Sequence, residues 1–544
     1  MSNVDNDVEE SAEEKEDYSR VVPVLIKFIG KYRKVLVNGS RDVGKSLYVR
    51  QAVLTLTYQH EEQGKRYLPV FLECPISADI VLQLTRFSRF RTENTSLPPH
   101  YDIIPIIVLD NAHRCSDEDL MRINSQLPKD AKLVLIAPSA GIRPSKSEYF
   151  SYRILPFRFV EVAETIVDKD IRYILKRSHL EGCGRIDNLS SINKVHELLE
   201  KIRGSSDHGS LMKLFRCYLI YGGTAHGVRY ISDCINNKEL KGISHAFFKS
   251  VGKILDDAKE YSKYYEGIDY ALFQVAIQAT MMYIAEKVMK KGLEVDQNKL
   301  YEEVREMAQR ISPWWNIGRK DVDVNRAVLN AIKYLKESGV IVEIKPIISI
   351  IKQRSKPAQQ DKSANVVKYV FTDPRYLIGA YLYHTHMIGS KEYTEAFDEV
   401  VAAINDLVQT QKRQGTIKPE YYLEAITLSN LALGAYAMSV SCGKPDRDSP
   451  PLSKYINYVK ADGREIDALI KVGYFDKSHG EVGLSILFEV SRSFDEDHVS
   501  KCKEALNDIK ASYCIYATLD VNDVKILGDD NIIVAPLPYA LLLF

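Results

Sequence analysis

The sequence predicts an α/β protein whose N-terminal part is a parallel sheet covered on both faces by helices, with further helical and mixed units behind it. Three observations carry this. Four short runs, ValLeuVal at 35–37, Leu68–Leu72, Ile103–Leu109 and Lys132–Ala137, are apolar almost throughout instead of alternating, as strands buried on both faces are. Stretches of helical character separate them, which is the arrangement of a repeated strand–helix unit. A glycine-bounded octapeptide, Gly39 to Ser46, follows the first of these strands and opens a helix over Lys45–Tyr58.

That octapeptide, Gly39-Ser40-Arg41-Asp42-Val43-Gly44-Lys45-Ser46, matches GxxxxGK[ST] in full. A loop that wraps a β-phosphate must turn its backbone N–H groups inward, a path glycine permits, and the helix behind it aims its N-terminal dipole at the anion. Lys45 then supplies a positive charge for the β- and γ-phosphates, and Ser46 a hydroxyl for Mg²⁺. ATP and Mg²⁺ are the expected ligands of this P-loop. IleIleValLeuAsp at 106–110 is an apolar strand ending in a carboxylate, the form of a Walker B motif, and Asp110 is expected to hold Mg²⁺ beside Ser46. Many ATPases of this layout place a glutamate next, to activate the attacking water. Here the residue is Asn111, whose amide orients water but cannot take its proton, so Glu73 at the end of the second strand is the candidate base. Ser139, just past the fourth strand, is a candidate sensor of the γ-phosphate. Arg229, within the segment TyrGlyGlyThrAlaHisGlyValArgTyr at 221–230, is a candidate second sensor. Arg143, Arg153 and Arg158 lie where an arginine offered to a neighbouring subunit would be, and the sequence does not select among them.

The remaining elements follow in order. Residues 1–18 hold eight acids and one lysine and read as a solvated, disordered tail. The nucleotide-binding core is expected over 19–160 and a helical lid over 161–265. Glu161–Leu175 and Ala271–Val288 have apolar positions at helical spacing, with Met281 and Met282 as core filler. Over 266–390 a winged helix is expected. Arg326–Ser338 is an amphipathic helix that Gly339 is placed to end, Val340–Ile350 and Val366–Phe371 are strands, and ThrAspPro at 372–374 starts another helix. The polar stretch between the strands carries Lys352, Arg354, Lys356 and Lys362, which form either a phosphate-contacting wing or a solvated loop. Towards the end, Glu465–Val472 and Gly483–Val490 make a hairpin around DKSHGE, Asp495–Ile509 is a helix, and Ser512–Leu519 and Ile532–Pro536 are strands.

In this order the chain resembles the AAA-type ATPases of archaea and their eukaryotic relatives among crinkler effectors and retrotransposon hot spot proteins. The elements that carry the resemblance are the P-loop, the Walker B strand, the sensor strand, the lid with its GG…R segment, and the winged helix ending in TDP. It spans about residues 20–544, is specific at the P-loop and Walker B, and rests on architecture elsewhere. It implies an ATPase acting on nucleic acid or nucleoprotein, with an α/β restriction-endonuclease-like, PD-(D/E)XK domain over 391–544. Such a domain holds Mg²⁺ on two carboxylates of adjacent strands and keeps a lysine beside them. Asp467 and Glu489 take the carboxylate positions, but Ser491 stands where the lysine belongs. Arg492 would face the opposite side of the strand, and Lys501 or Lys503 on the next helix are the remaining substitutes. The domain is therefore expected to be degenerate, without nuclease activity.

Bulk properties narrow the classes further. A chain of 544 residues exceeds one hydrophobic core. Its 73 basic and 73 acidic residues cancel, so no polyelectrolyte partner is implied globally, although DNA or RNA on a local face is compatible with them. The eight cysteines are scattered without a CxxC pair, which argues against a zinc module or disulfide framework and fits a reducing compartment. No apolar run reaches the ~18 residues of a membrane span and no apolar leader opens the chain, so an intracellular protein, nuclear or cytoplasmic and without a membrane partner, is expected. His384 and His386 read as structural, and the 33 tyrosines are spread rather than gathered into a base-stacking surface. Two function classes fit: an ATPase working on nucleic acid, and an ATP-gated switch that barely hydrolyses nucleotide and controls assembly with itself or with protein partners.

Overall fold

The computed structural model describes residues 21–59, 65–93, 102–138, 149–166, 184–205, 207–238, 242–261, 269–315, 320–348, 365–409, 415–442, 451–461, 464–476, 480–528 and 531–544. Ser139, Arg143 and the four basic residues Lys352, Arg354, Lys356 and Lys362 lie outside them, as do the acidic tail and most of the helix expected over Glu161–Leu175. The chain divides into two compact units: one runs to Ile154, and the other joins Gly39–Val43 to Leu155–Phe544.

The first unit is a five-stranded sheet, all parallel. Helix α1 (Val21–Lys31) leads into β1 (Lys34–Asn38), and α2 (Lys45–Gln59) follows the glycine loop. Then come β2 (Lys65–Glu73), α3 (Ala78–Glu93), β3 (Asp102–Asp110), α4 (Asp117–Gln126), β4 (Lys132–Ile136) and β5 (Phe150–Arg153). The strand order is β2-β3-β4-β1-β5, with β1 inside the sheet. Every residue of β1 is buried. Val35, Leu36 and Val37 are at most 1% exposed, and each contributes roughly 1.5–3 kcal/mol of apolar burial. This is the P-loop NTPase α/β fold. β5 lacks the apolar run that marks its neighbours: PheSerTyrArg is a short, half-polar edge strand, and only its parallel pairing with β1 defines it.

The second unit begins with helices: α5 (Phe159–Ile166), α6 (Gly184–Leu189), α7 (Ile192–Gly204), α8 (His208–Tyr221), α9 (Ala225–Ile235), α10 (Ile243–Tyr261) and α11 (Tyr270–Glu286). Polar side chains start several of them, since an N-cap oxygen takes up N–H groups with no partner inside the helix. Asp207 accepts from Gly209 and Ser210 at the head of α8, and Thr224 from Gly227 at the head of α9. Next are β6 (Glu294–Asp296), α12 (Gln297–Ile311), α13 (Asp321–Glu337), β7 (Ile341–Ile348) and β8 (Val366–Phe371). β6 and β7 both pair antiparallel with β8, so α11 to β8 has the element order and pairing of a winged helix. Helices α14 (Pro374–Met387), α15 (Tyr393–Val408) and α16 (Pro419–Cys442) follow.

The chain ends in β9 (Ile456–Ala461), β10 (Arg464–Asp476), β11 (Gly480–Ser491), α17 (Glu496–Ile509), β12 (Tyr513–Thr518), β13 (Lys525–Leu527) and β14 (Ile532–Pro536). β9, β10 and β11 form an antiparallel meander, and β12 pairs parallel to β11. With α16 before and α17 between, the order is helix, three strands, helix, strand. β7 also pairs in parallel with β9, through Lys345↔Asn457 to Ile348↔Lys460. The strands β6 to β14 are thus one nine-stranded sheet, β13-β14-β12-β11-β10-β9-β7-β8-β6. Helix α16 is long and apolar enough to cross a membrane over Pro419–Val440, yet 78% of its most apolar window is buried in the protein, as a core helix is.

The cysteines correct one expectation. Cys74 is bonded to Cys115 and Cys217 to Cys234, across 41 and 17 residues. Spacing alone hid them, because each pair meets only through tertiary folding: Cys74 directly follows β2, and Cys115 follows the short turn after β3, the in-register neighbour of β2. Replacing both Cys74 and Cys115 by serine is expected to lower the stability of the oxidised protein by about 2–4 kcal/mol, the scale for closing a loop of this length. Denaturant unfolding with and without reductant checks this: reductant should destabilise the parent protein more than the double variant, in which only the Cys217–Cys234 bond is left to reduce.

Candidate functional site

β1 and β3 run in the same direction, so the loops after both open at one edge of the sheet, where open α/β sheets bind ligands. The P-loop leaves β1 at Gly39 and enters α2 at Lys45. Gly44 has φ +82°, and a Cβ there would lie 2.8 Å from the Tyr48 ring, so only glycine turns this corner. The Gly44 carbonyl accepts the Tyr48 N–H, the first bond of the helix. Lys45 is half-buried and Ser46 exposed at the helix N-terminus. Ser40 and Val43 are buried, while Arg41 and Asp42 are half-buried.

At the same edge the structure brings three more of the sequence-selected residues together. β2 and β3 pair in register, Glu73 opposite Asp110, and the Cys74 N–H donates to the Asp110 carbonyl. Asn111 sits in the left-handed region at φ +50°, a conformation asparagine tolerates better than most residues. Its N–H donates to Asp110 Oδ1 at 2.8 Å, and its side-chain amide to Glu73 Oε1 at 3.2 Å. The Cys74–Cys115 bond closes the same two strand ends. An acceptor-only carboxylate, Glu73, is thus held by an amide donor beside the Asp110 carboxylate.

The polar x positions of the P-loop are engaged by the second unit's own side chains. The Arg41 guanidinium forks onto Asp257 at 2.6 and 2.5 Å, and Asp257 is 3% exposed. The hydrogen bond to Asp257 outweighs burial and holds Arg41 above its ordinary value. The Asp42 carboxylate faces Lys253 at 3.4 Å, Arg375 at 3.8 Å and His226 at 3.9 Å. Arg229 is exposed on α9, three residues beyond His226. The two candidate arginines that are described are not free to reach a neighbour. Arg153 is buried beside Asn38, and Arg158 is buried against Glu161 and the Phe544 carbonyl.

A second cluster lies in the nine-stranded sheet. The β9–β10 pairing shifts register between Ile466 and Leu469, around Asp467, an irregularity that re-aims a side chain. Asp467 Oδ2 accepts the Val490 N–H at 2.8 Å, and the Asp467 N–H donates to Glu489 Oε2 at 3.2 Å. Burial, with Glu489 and Glu424 adding repulsion, pushes Asp467 well above the carboxylate range; burial pushes Glu489 up to about 8. Oxygens of Glu424, Glu465 and Asp467 lie within 4.8 Å of one another. Lys368 on β8 reaches into them, 2.7 Å from Glu424 Oε1 and paired with Glu465 as well. Burial works against its charge, but Glu424, Asp467 and Glu465 prevail and keep it protonated. Ser491 instead bonds the Tyr516 hydroxyl and the Ser493 carbonyl. Arg492 pairs with Glu420, Lys501 Nζ is 4.0 Å from Glu489, His498 Nδ1 is 2.5 Å from it, and Lys503 is exposed.

Glu424 and Lys368 were not among the sequence candidates. Each had a signal: a lone acid in the apolar helix LeuGluAlaIle, and a lone lysine in the strand ValValLysTyrVal. A charge at an interior position requires a partner. His384, read as structural, is buried 3.7 Å from Glu286, and burial lowers it to about 4.

No protein-family model matches the chain, and no curated protein sequence matches it. Among solved structures it is similar to the ORC2 protein of Aeropyrum pernix (ADPNP–ADP complexes), with 10% identity over 71% of this chain and 93% of that one, TM-score 0.31. It is similar to the Walker-type ATPase paby2304 of Pyrococcus abyssi, 12% identical over 68% and 97%, TM-score 0.33. A third is the ORC1 protein of A. pernix in complex with DNA, 12% identical over 70% and 91%, TM-score 0.24. At such scores the strand order and the loop geometry, not these likenesses, identify the fold.

Proposed function

We propose that this chain is a Mg²⁺-dependent ATPase of AAA type that works on nucleic acid or nucleoprotein. The observation that carries the reading is the grouping of Asp110, Asn111 and Glu73 at the sheet edge onto which the P-loop opens. The donor set fits the ligand: loop amides and Lys45 for the phosphates, the Ser46 hydroxyl and Asp110 for the metal. Mg²⁺ held there would neutralise charge on the β- and γ-phosphates. Glu73 accepts the proton of the attacking water, and the Asn111 amide fixes the carboxylate that does so. Arg229, exposed on α9, and Ser139 are the residues we assign to sensing the γ-phosphate.

The winged-helix order supports nucleic acid as the substrate, with α13 as the reading helix. The endonuclease-like part we read as a binding surface that does not cut. Should Asp467 and Glu489 take a metal, they would share the cluster with Glu424 and Glu465, where the Lys368 ammonium already supplies the balancing positive charge. The switch reading keeps one supporting observation: Glu73 is tethered to Asn111, an arrangement that would slow turnover until a partner releases it. Phosphate release by purified protein, with and without DNA or RNA, tests both. Turnover raised several-fold by nucleic acid supports the first reading; tight ATP binding with no turnover under either condition replaces it with the switch.

A further inference from the structure

A loop that turns its N–H groups towards a phosphate turns its carbonyls outward, and each of those carbonyls needs a donor. Two of them are served from far along the chain. The Tyr376 hydroxyl donates to the Arg41 carbonyl at 2.5 Å and bonds the Ser40 hydroxyl at 2.8 Å. The Ala225 N–H, in the first turn of α9, donates to the Asp42 carbonyl at 2.9 Å. Asp42 itself is left-handed at φ +62°, a costly conformation that the Lys253 and Arg375 charges around its carboxylate help to retain.

Both donors are held by one buried carboxylate. Asp373 caps α14 through the Arg375 N–H at 2.8 Å and accepts the Gly223 N–H at 2.5 Å. Gly223 can carry no side chain, since a Cβ would lie 1.7 Å from the Phe157 carbonyl. Asp373 thus ties the start of α14, which presents Tyr376, to the GlyGlyThr segment before α9, which presents Ala225.

We propose that Tyr376 is a positioning residue for the nucleotide: it holds the P-loop backbone in its phosphate-receiving form from the outside, with Asp373 setting the helix that carries it. The inference rests on the P-loop reading above. Tyr376 touches no phosphate. It acts by drawing the Ser40–Arg41 peptide outward, so that the loop does not have to be ordered at the moment of binding. Because Tyr376 follows β8 by only five residues, the same contact joins nucleotide occupancy to the sheet of the winged helix.

The test is a titration of wild type, Tyr376→Phe, Ser40→Ala and Lys45→Ala with a fluorescent ADP and ATP analogue, alongside steady-state turnover and thermal melting without nucleotide. Tyr376→Phe is expected to raise the dissociation constant and the KM about 5- to 10-fold, the scale of one buried hydrogen bond, while kcat changes about 2-fold or less. Ser40→Ala, which removes the other partner and sits on a loop, is expected to shift the affinity in the same direction. A lowered melting temperature with unaltered nucleotide affinity in both variants would make the contact merely structural and overturn the proposal. If wild type and Lys45→Ala both bind no nucleotide, the P-loop reading falls and this inference with it. If only Lys45→Ala loses binding while Tyr376→Phe titrates as wild type, this inference falls alone.

Discussion

Lys45→Ala is expected to weaken ATP binding about 10- to 100-fold and to lower turnover by on the order of 10³. The lysine is a half-buried point charge in the first turn of α2, at the end of the glycine loop. The loss therefore falls on the ligand and not on the fold. A charge-assisted bond to a phosphate contributes roughly 1.5–3 kcal/mol in the ground state, and more as charge develops on the transferred group. Phosphate release and nucleotide titration measure the two parts separately, and circular dichroism reports the fold. Normal binding together with normal turnover in this variant would end the assignment of residues 39–46 to phosphate.

Glu73→Gln is expected to reduce turnover by roughly 10²- to 10⁴-fold while ATP affinity stays within a few-fold of wild type. Glutamine keeps the length and one acceptor oxygen, so the bond from the Asn111 amide survives, but it cannot take a proton from water. Glu73 is exposed at the strand end, which makes a stability cost small. Single-turnover kinetics on prebound ATP give the chemical step directly. If the rate of that step is unchanged, the proton leaves by another route, and Glu73 becomes a residue that merely seats Asn111.

How far the sequence could be read follows from how local each feature is. The P-loop is written in eight consecutive residues, and β1, β3 and β4 are short apolar runs, so all of these were legible. The hairpin of β10 and β11 and the strand Val366–Phe371 were legible for the same reason. Glu73 could be picked as an acid at a strand end, but its register with Asp110 and its bond to Asn111 are products of strand pairing across 37 residues of chain, from Glu73 to Asp110. Lys368 and Glu424, Tyr376 and Ser40, and the two cysteine pairs are all long-range meetings that no window of sequence contains. β5 was illegible for the opposite reason: its identity lies in its neighbour β1, and its own four residues are half polar.

The parallel pairing of β7 with β9 has a practical side for anyone who would cut this protein into pieces. A fragment beginning near α16 would carry β9 with one row of N–H and C=O groups stripped of its partner, and the complementary fragment would bare β7 in the same way. Unpaired strand edges invite another chain to complete them, so each half would tend to stick to copies of itself. The nine strands from β6 to β14 should be handled as one foldable piece, to be dissected by point substitution and not by scissors.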